Sequence, residues 1–217
     1  MICIRHTLAC GVALVAVLAA VPFGCREVLG IETRGSDDLT CDAYCSSIAA
    51  ACTADQDHLQ YGSTAACLAL CATFPVGTLE DDGPNSLGCR IRQVGLIGAE
   101  GICAAAGPGG DGYCGTNCAS FCHSAVQICP TDFATEAACV SACADIPDCP
   151  LYAVDPNATT LPNDNSLQCR LFHLTSAALD PVKHCPHVLG IGYCSPTYPA
   201  CGGPPGTDGG TDGGDGG

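Results

Sequence analysis

Cysteine accounts for 21 of the 217 residues and constrains the fold of this chain more than any other residue type. The sequence has no Trp, one Met and only 5% aromatic residues, so few side chains are large enough to fill one large hydrophobic core, and we do not expect such a core. Disulfide bonds are expected to stabilise units that bury too little apolar surface to fold without them. No C-x2-C motif occurs, which argues against zinc ribbons, thioredoxin-like redox pairs and c-type haem attachment.

The formal net charge of −15 excludes one class of partner. Non-specific nucleic-acid binding needs a basic face that displaces phosphate counterions, so we predict no nucleic-acid partner. The same charge argues against adhesion to an anionic membrane through electrostatics alone.

Residues 1–24 have the organisation of a signal peptide. A short start with Arg5 precedes an uncharged stretch from Leu8 to Gly24, which has the length of a signal-peptide apolar region and is slightly short for a membrane span. A retained anchor helix is the alternative. Cleavage by an ordinary signal peptidase near Ala19 is one possibility. The other is lipoprotein processing, because Gly24 and Cys25 match the small residue and cysteine that end a bacterial lipobox.

The number of cysteines favours lipidation at Cys25. Removal of Cys3 and Cys10 leaves 19 cysteines, and a lipid on Cys25 leaves an even 18 that can all pair. We predict a lipid-anchored tether over 25–40 and a location in the bacterial cell envelope, as an outer-membrane or cell-surface lipoprotein. Without lipidation the protein would be secreted. Thiols oxidise to stable disulfides in either place.

The chain contains an internal repeat. Eight cysteines recur in the same order at offsets of 72 to 82 residues, and NSLGCR at 85–90 returns as NSLQCR at 165–170. This predicts two tandem modules, 41–117 and 118–201, followed by a disordered Gly/Asp tail over 202–217.

The cysteine spacing predicts helices. Cysteines at i, i+4 and i+11 share one helix face, whereas a strand would place them on opposite faces. Helix-start signals occur at Ser63, Ser86, Thr131 and Ser166. We predict a mainly α fold of two small disulfide-rich modules, each with about three helices and Gly/Pro-rich loops.

Geometry suggests a preferred disulfide map, although eight cysteines allow 105 pairings. Two antiparallel helices that face each other through C-x3-C pairs can be joined outer to outer and inner to inner. A third bridge would attach the NSLxCR helix, and a fourth would close the loop. The predicted pairs are Cys41–Cys71, Cys45–Cys67, Cys52–Cys89 and Cys103–Cys114, then Cys118–Cys143, Cys122–Cys139, Cys129–Cys169 and Cys185–Cys194, and finally Cys149–Cys201.

Three histidines of the second module are candidate metal ligands. His173, His184 and His187 are close in sequence, and Gln93 stands at the first-module position of His173. Three imidazoles could hold zinc or copper in a tetrahedral site. The alternative is that these side chains cap helix ends or lie in a solvated loop while Cys185 is bridged.

Catalysis has little support in the sequence. No nucleophile elbow, H-E-x-x-H motif or phosphate-binding glycine loop occurs. The acids at Asp81–Asp82 and in 155–165 are expected to be solvated and to keep ordinary pKa values.

We therefore predict no catalytic residue and no cofactor. The predicted role is structural or binding, toward a protein, a glycan or a divalent cation. The alternative is a metal-binding or electron-transfer accessory protein of the periplasm or cell surface that uses His173, His184 and His187.

Several of these features occur together in a known class. Gly24–Cys25, LGIE at 29–32, the C-x3-C pairs, and NSLQCRLFH with HCPH in the second module resemble cysteine-rich predicted lipoproteins of myxobacteria. The resemblance covers most of 25–201. It implies a location in the envelope and implies no particular activity.

Overall fold

The computed structural model describes residues 39–53, 59–97, 103–149, 152, 154 and 164–202. The predictions of a signal peptide over 1–24, a lipid on Cys25 and a tail lie outside the described residues, apart from Gly202. The described residues belong to one compact unit that begins at Leu39 and contains both modules. Leu39 packs against the core and Thr40 caps the first helix. The last two residues of the predicted tether, Leu39 and Thr40, therefore belong to the folded part.

Among the described residues each module has four helices, where about three were expected, and the additional helix lies in a predicted loop. The first module has α1 Cys41–Ala51, α2 Thr64–Cys71, α3 Leu87–Leu96 and α4 Cys103–Ala106. The second has α5 Asn117–Ile128, α6 Glu136–Cys143, α7 Leu167–Ala177 and α8 Pro181–Val188, with 3-10 turns at Gly192–Cys194 and Ala200–Gly202. The described residues include no strand. The predicted mainly α, disulfide-rich fold class is confirmed.

Polar side chains determine where the helices begin. Seven N-cap side chains each accept a hydrogen bond from the backbone N–H three residues later; they belong to Thr40, Ser63, Ser86, Thr116, Thr135, Ser166 and Asp180. The starts predicted at Ser63, Ser86 and Ser166 are confirmed. The start predicted at Thr131 is wrong, because α6 begins only at Glu136, after the cap at Thr135.

The 18 cysteines between 41 and 201 form nine disulfides. Five pairs agree with the predicted map: Cys41–Cys71, Cys45–Cys67, Cys118–Cys143, Cys122–Cys139 and Cys149–Cys201. The first four join α1 to α2 and α5 to α6 through the C-x3-C pairs, outer to outer and inner to inner. The fifth, Cys149–Cys201, attaches the end of the second module.

The other four predicted pairs are wrong, and the partners are exchanged in the same way in both modules. The observed bridges are Cys52–Cys103, Cys89–Cys114, Cys129–Cys185 and Cys169–Cys194. The first-module exchange follows from α4, which begins at the buried Cys103 and packs against α1. A parallel backbone bridge between Gly83 and Cys114 returns the chain to the start of α3, where Cys89 lies.

The buried side chains of both modules form a single cluster, contrary to the expectation of no large core. Ten of its 28 buried members are half-cystines, so sulfur fills much of the space that large apolar side chains usually occupy. The modules also contact each other directly. Helix α2 packs against α7, and Thr73 Oγ1 lies 2.7 Å from Ser124 Oγ.

Candidate functional site

The hairpin of α7 and α8 brings the three predicted histidines together. These helices pack against each other and are joined by the three residues 178–180. His173 lies on α7 and is fully buried, while His184 and His187 lie one turn apart on α8 and are half-buried. The alternative prediction, that these side chains cap helix ends or lie in a solvated loop, therefore does not hold for His173.

Two of the histidines approach at a distance that suits metal ligation. His173 Nδ1 lies 3.2 Å from His184 Nδ1. Two nitrogens bound to one tetrahedral zinc, at roughly 2.0–2.1 Å each, lie roughly 3.3 Å apart. Neutral imidazoles can also share an N–H···N hydrogen bond at this distance. The pair thus fits either a two-histidine metal site or a direct hydrogen bond.

His187 and Tyr193 complete the cluster. The His187 ring lies 4.7 Å from the His173 ring, and the Tyr193 ring stacks on His173 at 5.6 Å, between centroids. His187 Nδ1 lies 2.8 Å from the carbonyl oxygen of Ile191. A carbonyl only accepts, so Nδ1 carries the hydrogen, and the neutral ring has its lone pair on Nε2. Such backbone contacts orient the imidazoles of metal sites.

The surroundings of His184 favour its neutral form. Burial lowers the pKa of His184, and the charges of Lys183 and His187 lower it further, against an opposing effect of Asp180. Neutral imidazole is the form that binds metals.

The three histidines do not converge on one point. In the described part of the chain, two three-residue groups place their ligand atoms within 4.8 Å of one another: Cys169, His173 and Cys194, and Cys129, Asp132 and Cys185. Each group contains both ends of a disulfide, so its sulfurs are not thiolates. The predicted three-histidine site is therefore present as a close His173–His184 pair with His187 beside it.

A second cluster, which the sequence analysis missed, surrounds the arginine of each NSLxCR segment. In the first module, Arg90 is fully buried and donates to the carbonyls of Ser86, Gly107 and Pro108 at 3.1–3.3 Å. Its guanidinium lies 4.0 Å from the centroid of the Phe74 ring. Burial lowers the pKa of this guanidinium. The three carbonyls accept its hydrogen bonds, and the Phe74 ring packs over it.

Two tyrosines complete this first-module cluster. The Tyr44 hydroxyl lies 2.6 Å from the Ala106 carbonyl, to which it donates, and 2.8 Å from the Tyr61 hydroxyl, from which it therefore accepts. The two rings meet edge to face at 6.2 Å. Burial raises the pKa of Tyr44 well above its ordinary value and that of Tyr61 to about 12. Both hydroxyls therefore stay protonated and hydrogen-bonded.

The same positions of the second module line a cavity of about 370 Å³. By the repeat offsets, Tyr44, Tyr61, Phe74 and Arg90 correspond to Phe121, Phe133, Ile146 and Arg170. The rings of Phe121 and Phe133 repeat the edge-to-face contact at 6.2 Å. Ile146 replaces the ring that covers Arg90 in the first module, and Asp132 and Leu189 also line the cavity.

Arg170 makes fewer hydrogen bonds than its counterpart. Its NH1 donates to the Val188 carbonyl at 3.4 Å, and its Nε is buried with no hydrogen-bond partner among the described residues. Burial lowers the pKa of its guanidinium. Gly190 has a φ of +81°, and a Cβ there would lie 2.4 Å from Arg170 NH2, so the chain passes close beside this arginine.

The acids at 81–82 differ in part from expectation. Asp81 accepts hydrogen bonds from Ser86 Oγ and from the Thr78 backbone and hydroxyl, which hold its pKa below the ordinary value. Asp82 is exposed and pairs with Arg92 at 3.0 Å. Asp81 thus holds the capping residue Ser86 of α3 by a hydrogen bond. Of the two acids in 155–165, Asp155 lies outside the described residues, and Asp164 accepts a hydrogen bond from Ser166 Oγ at 2.6 Å.

Comparison with protein-family profiles, curated proteins and solved structures gives no match. Within the described ranges, no helix combines the length and the apolar character that a membrane crossing requires.

Proposed function

We propose that this protein is a non-catalytic binding protein of the bacterial envelope, lipid-anchored through Cys25 and held folded by its disulfides. The complete pairing of 18 cysteines in nine bridges carries the proposal. Stable disulfides belong to oxidising compartments and are rare in the cytosol. Full pairing of these 18 also leaves Cys25 without a disulfide partner among them, which agrees with its use as a lipid carrier. The resemblance to myxobacterial lipoproteins supports the same location.

The second module offers a surface for a protein partner. Of the nine exposed large hydrophobic side chains among the described residues, five belong to the segment 179–198: Leu179, Val182, Ile191, Tyr193 and Tyr198. Val182 is 89% exposed. Contiguous exposed apolar side chains are typical of interaction surfaces, and we propose that these five, which are close in sequence, contact a protein partner.

Intact-mass measurement of the protein from native membranes, with and without reduction before alkylation, tests the proposal. We expect a chain that begins at Cys25, carries acyl groups and takes up 18 alkyl groups only after reduction. Several cysteines alkylated without reduction would contradict the covalent framework. A mature chain without acyl groups would contradict the anchor and favour a secreted protein.

A metal-binding role is the second candidate, and the 3.2 Å approach of His173 Nδ1 to His184 Nδ1 favours it. His187, whose Nε2 keeps its lone pair, would be the third ligand after a small rotation. We expect one zinc or copper ion per chain in a titration followed by calorimetry. The double variant H184A/H187A should lose this binding.

His123 provides the matched control for this titration. It lies on α5 and pairs with Glu136 at 3.1 Å, away from the cluster of three histidines. H123A should bind the metal as the wild type does. Equal metal binding by H184A/H187A and the wild type would overturn the second candidate.

A further inference from the structure

We propose that the cavity of the second module binds an amphiphilic monocarboxylate, with the carboxylate on Arg170 and the apolar body between Phe121, Phe133 and Ile146. This inference rests on the proposed binding role, and it names the ligand class and the residues. The cavity is about 370 Å³ and is lined mainly by aromatic, aliphatic and half-cystine side chains. Small-molecule sites have this composition, an apolar wall with a few polar groups.

The first module shows how the same framework looks when it is filled. There the Phe74 ring covers Arg90, and the hydrogen-bonded Tyr44 and Tyr61 pack beside it. The cavity of this module, about 230 Å³, borders Tyr61 and does not reach Arg90. Phe74 and Tyr61 are 6% and 8% exposed, whereas Ile146 and Phe133 are half-buried. At the corresponding positions the second module therefore has one ring and two hydroxyls fewer than the first, and its cluster is more exposed.

The charge of Arg170 specifies an anion. The described cations besides Arg170 are Arg90, Arg92 and Lys183, and of these Arg90 is satisfied by carbonyls and Arg92 by Asp82. Arg170 has one long hydrogen bond, to Val188. A carboxylate matches the planar donor arrangement of a guanidinium and forms charge-assisted hydrogen bonds to it.

One acid opposes the anion. Asp132 lines the same cavity but is exposed and forms no ion pair with Arg170 within 4.0 Å among the described contacts. Its charge should weaken the binding of a carboxylate without preventing it. Removal of this charge should therefore strengthen binding, which gives the test a variant with an effect of the opposite sign.

A cavity of about 370 Å³ lies at the small end of ligand pockets, which measure roughly 300–1,000 Å³, and suits a small ligand with one short apolar chain. Decanoate has this size and is the probe. The measurement is calorimetric titration of the oxidised full chain in its secreted C25S form, which needs no detergent. We expect one decanoate per chain, and we expect 1-decanol, with the same tail and no charge, to bind about tenfold more weakly.

Three variants test the assigned residues. R170Q should weaken decanoate binding about tenfold, and I146F should abolish it by restoring the ring of the first module while keeping the arginine. D132N should strengthen binding about twofold. R92Q is the matched control, because it removes the same charge from the first module and should leave the affinity unchanged.

Equal affinity of wild type, R170Q and I146F for decanoate would show non-specific association and overturn the inference. Binding of decanol as tight as that of decanoate would also overturn it. If the C25S chain with 18 oxidised cysteines does not bind decanoate, while the protein from native membranes carries acyl groups and no free cysteines, this inference alone is refuted. Free cysteines in the native protein would refute the proposed function.

Discussion

Arg90 and Arg170 occupy the same place in the two modules and have different surroundings. Arg90 lies fully buried among three carbonyls beneath the Phe74 ring, and Arg170 lines an open cavity with one long hydrogen bond. The disulfide pattern around the two arginines is the same. Because crosslinks constrain the unfolded chain, a module can lose packing at its centre and still fold. The comparison indicates that the same disulfide pattern accommodates two different surroundings of the arginine.

The histidines show the same divergence at another position. Gln93 is a buried residue of α3, and its counterpart His173 faces two further histidines that the first module lacks. Tyr193 has a counterpart in Tyr113. The two copies of the shared framework thus carry different polar side chains at these positions.

Removal of the longest bridge of each module should have the largest effect. The Cys52–Cys103 and Cys129–Cys185 bridges close 51 and 56 residues, so C52A/C103A and C129A/C185A should each lower the free energy of unfolding by about 4 kcal/mol. Guanidinium-induced unfolding followed by circular dichroism measures this. A loss in one module several kcal/mol larger than in the other would show that the two frameworks are not equivalent.

The next largest effect should be a difference in stability between variants of the two arginines. R90M leaves three buried carbonyls without their donor and should lower the free energy of unfolding by about 3 kcal/mol. R170M should lower it by about 0.5 kcal/mol, because that side chain is partly exposed and weakly bonded. Urea or guanidinium unfolding of the two variants compares them directly. Equal losses would contradict the contrast drawn between the modules.

Y44F gives the first module the residue that the second has at this position. The variant removes a buried hydroxyl that joins Tyr61 to the Ala106 carbonyl, and it should lower the free energy of unfolding by about 1–2 kcal/mol. Thermal unfolding measures the change. An unchanged midpoint would mean that this hydrogen bond contributes nothing to the first module.

The smallest effect should be a pH dependence that originates in the second module. The pKa of His184 is lower in the folded protein than in the unfolded chain, so the unfolded chain binds the proton more readily. This contribution to stability is present above the unfolded pKa of about 6.5 and is lost as the pH falls below it. H184Q should flatten the decrease in melting temperature between pH 7 and pH 5. An unaltered slope would mean that the pH dependence of the melting temperature arises from groups other than His184.

Much of the framework could be predicted from the sequence. Helical spacing identified the C-x3-C hairpins and their outer and inner bridges, because that rule depends only on local geometry. The partners of Cys52 and Cys89 could not be predicted in this way, because they depend on α4 and on the turn that returns Cys114 to the start of α3. Both are tertiary features of a segment rich in Gly and Ala.

The site was predicted to a similar extent. Proximity in sequence identified the three histidines, but the 3.2 Å contact depends on how α7 packs on α8. The cavity at Arg170 was missed although its signal is present in the repeat. Aligning the copies shows Phe74 replaced by Ile146 and two tyrosines replaced by phenylalanines, and only the structure shows that these positions surround the arginine.

The disulfide pairing has a consequence for limited proteolysis. Between Cys41 and Cys201, every backbone position except those between Cys114 and Cys118 is spanned by at least one bridge. A single cleavage elsewhere in that range leaves the fragments linked until a reductant is added. Cleavage at Gly115–Thr116–Asn117 leaves two halves with no shared crosslink, which separate without a reductant once a denaturant disrupts their common core. Each half is therefore a self-contained covalent unit.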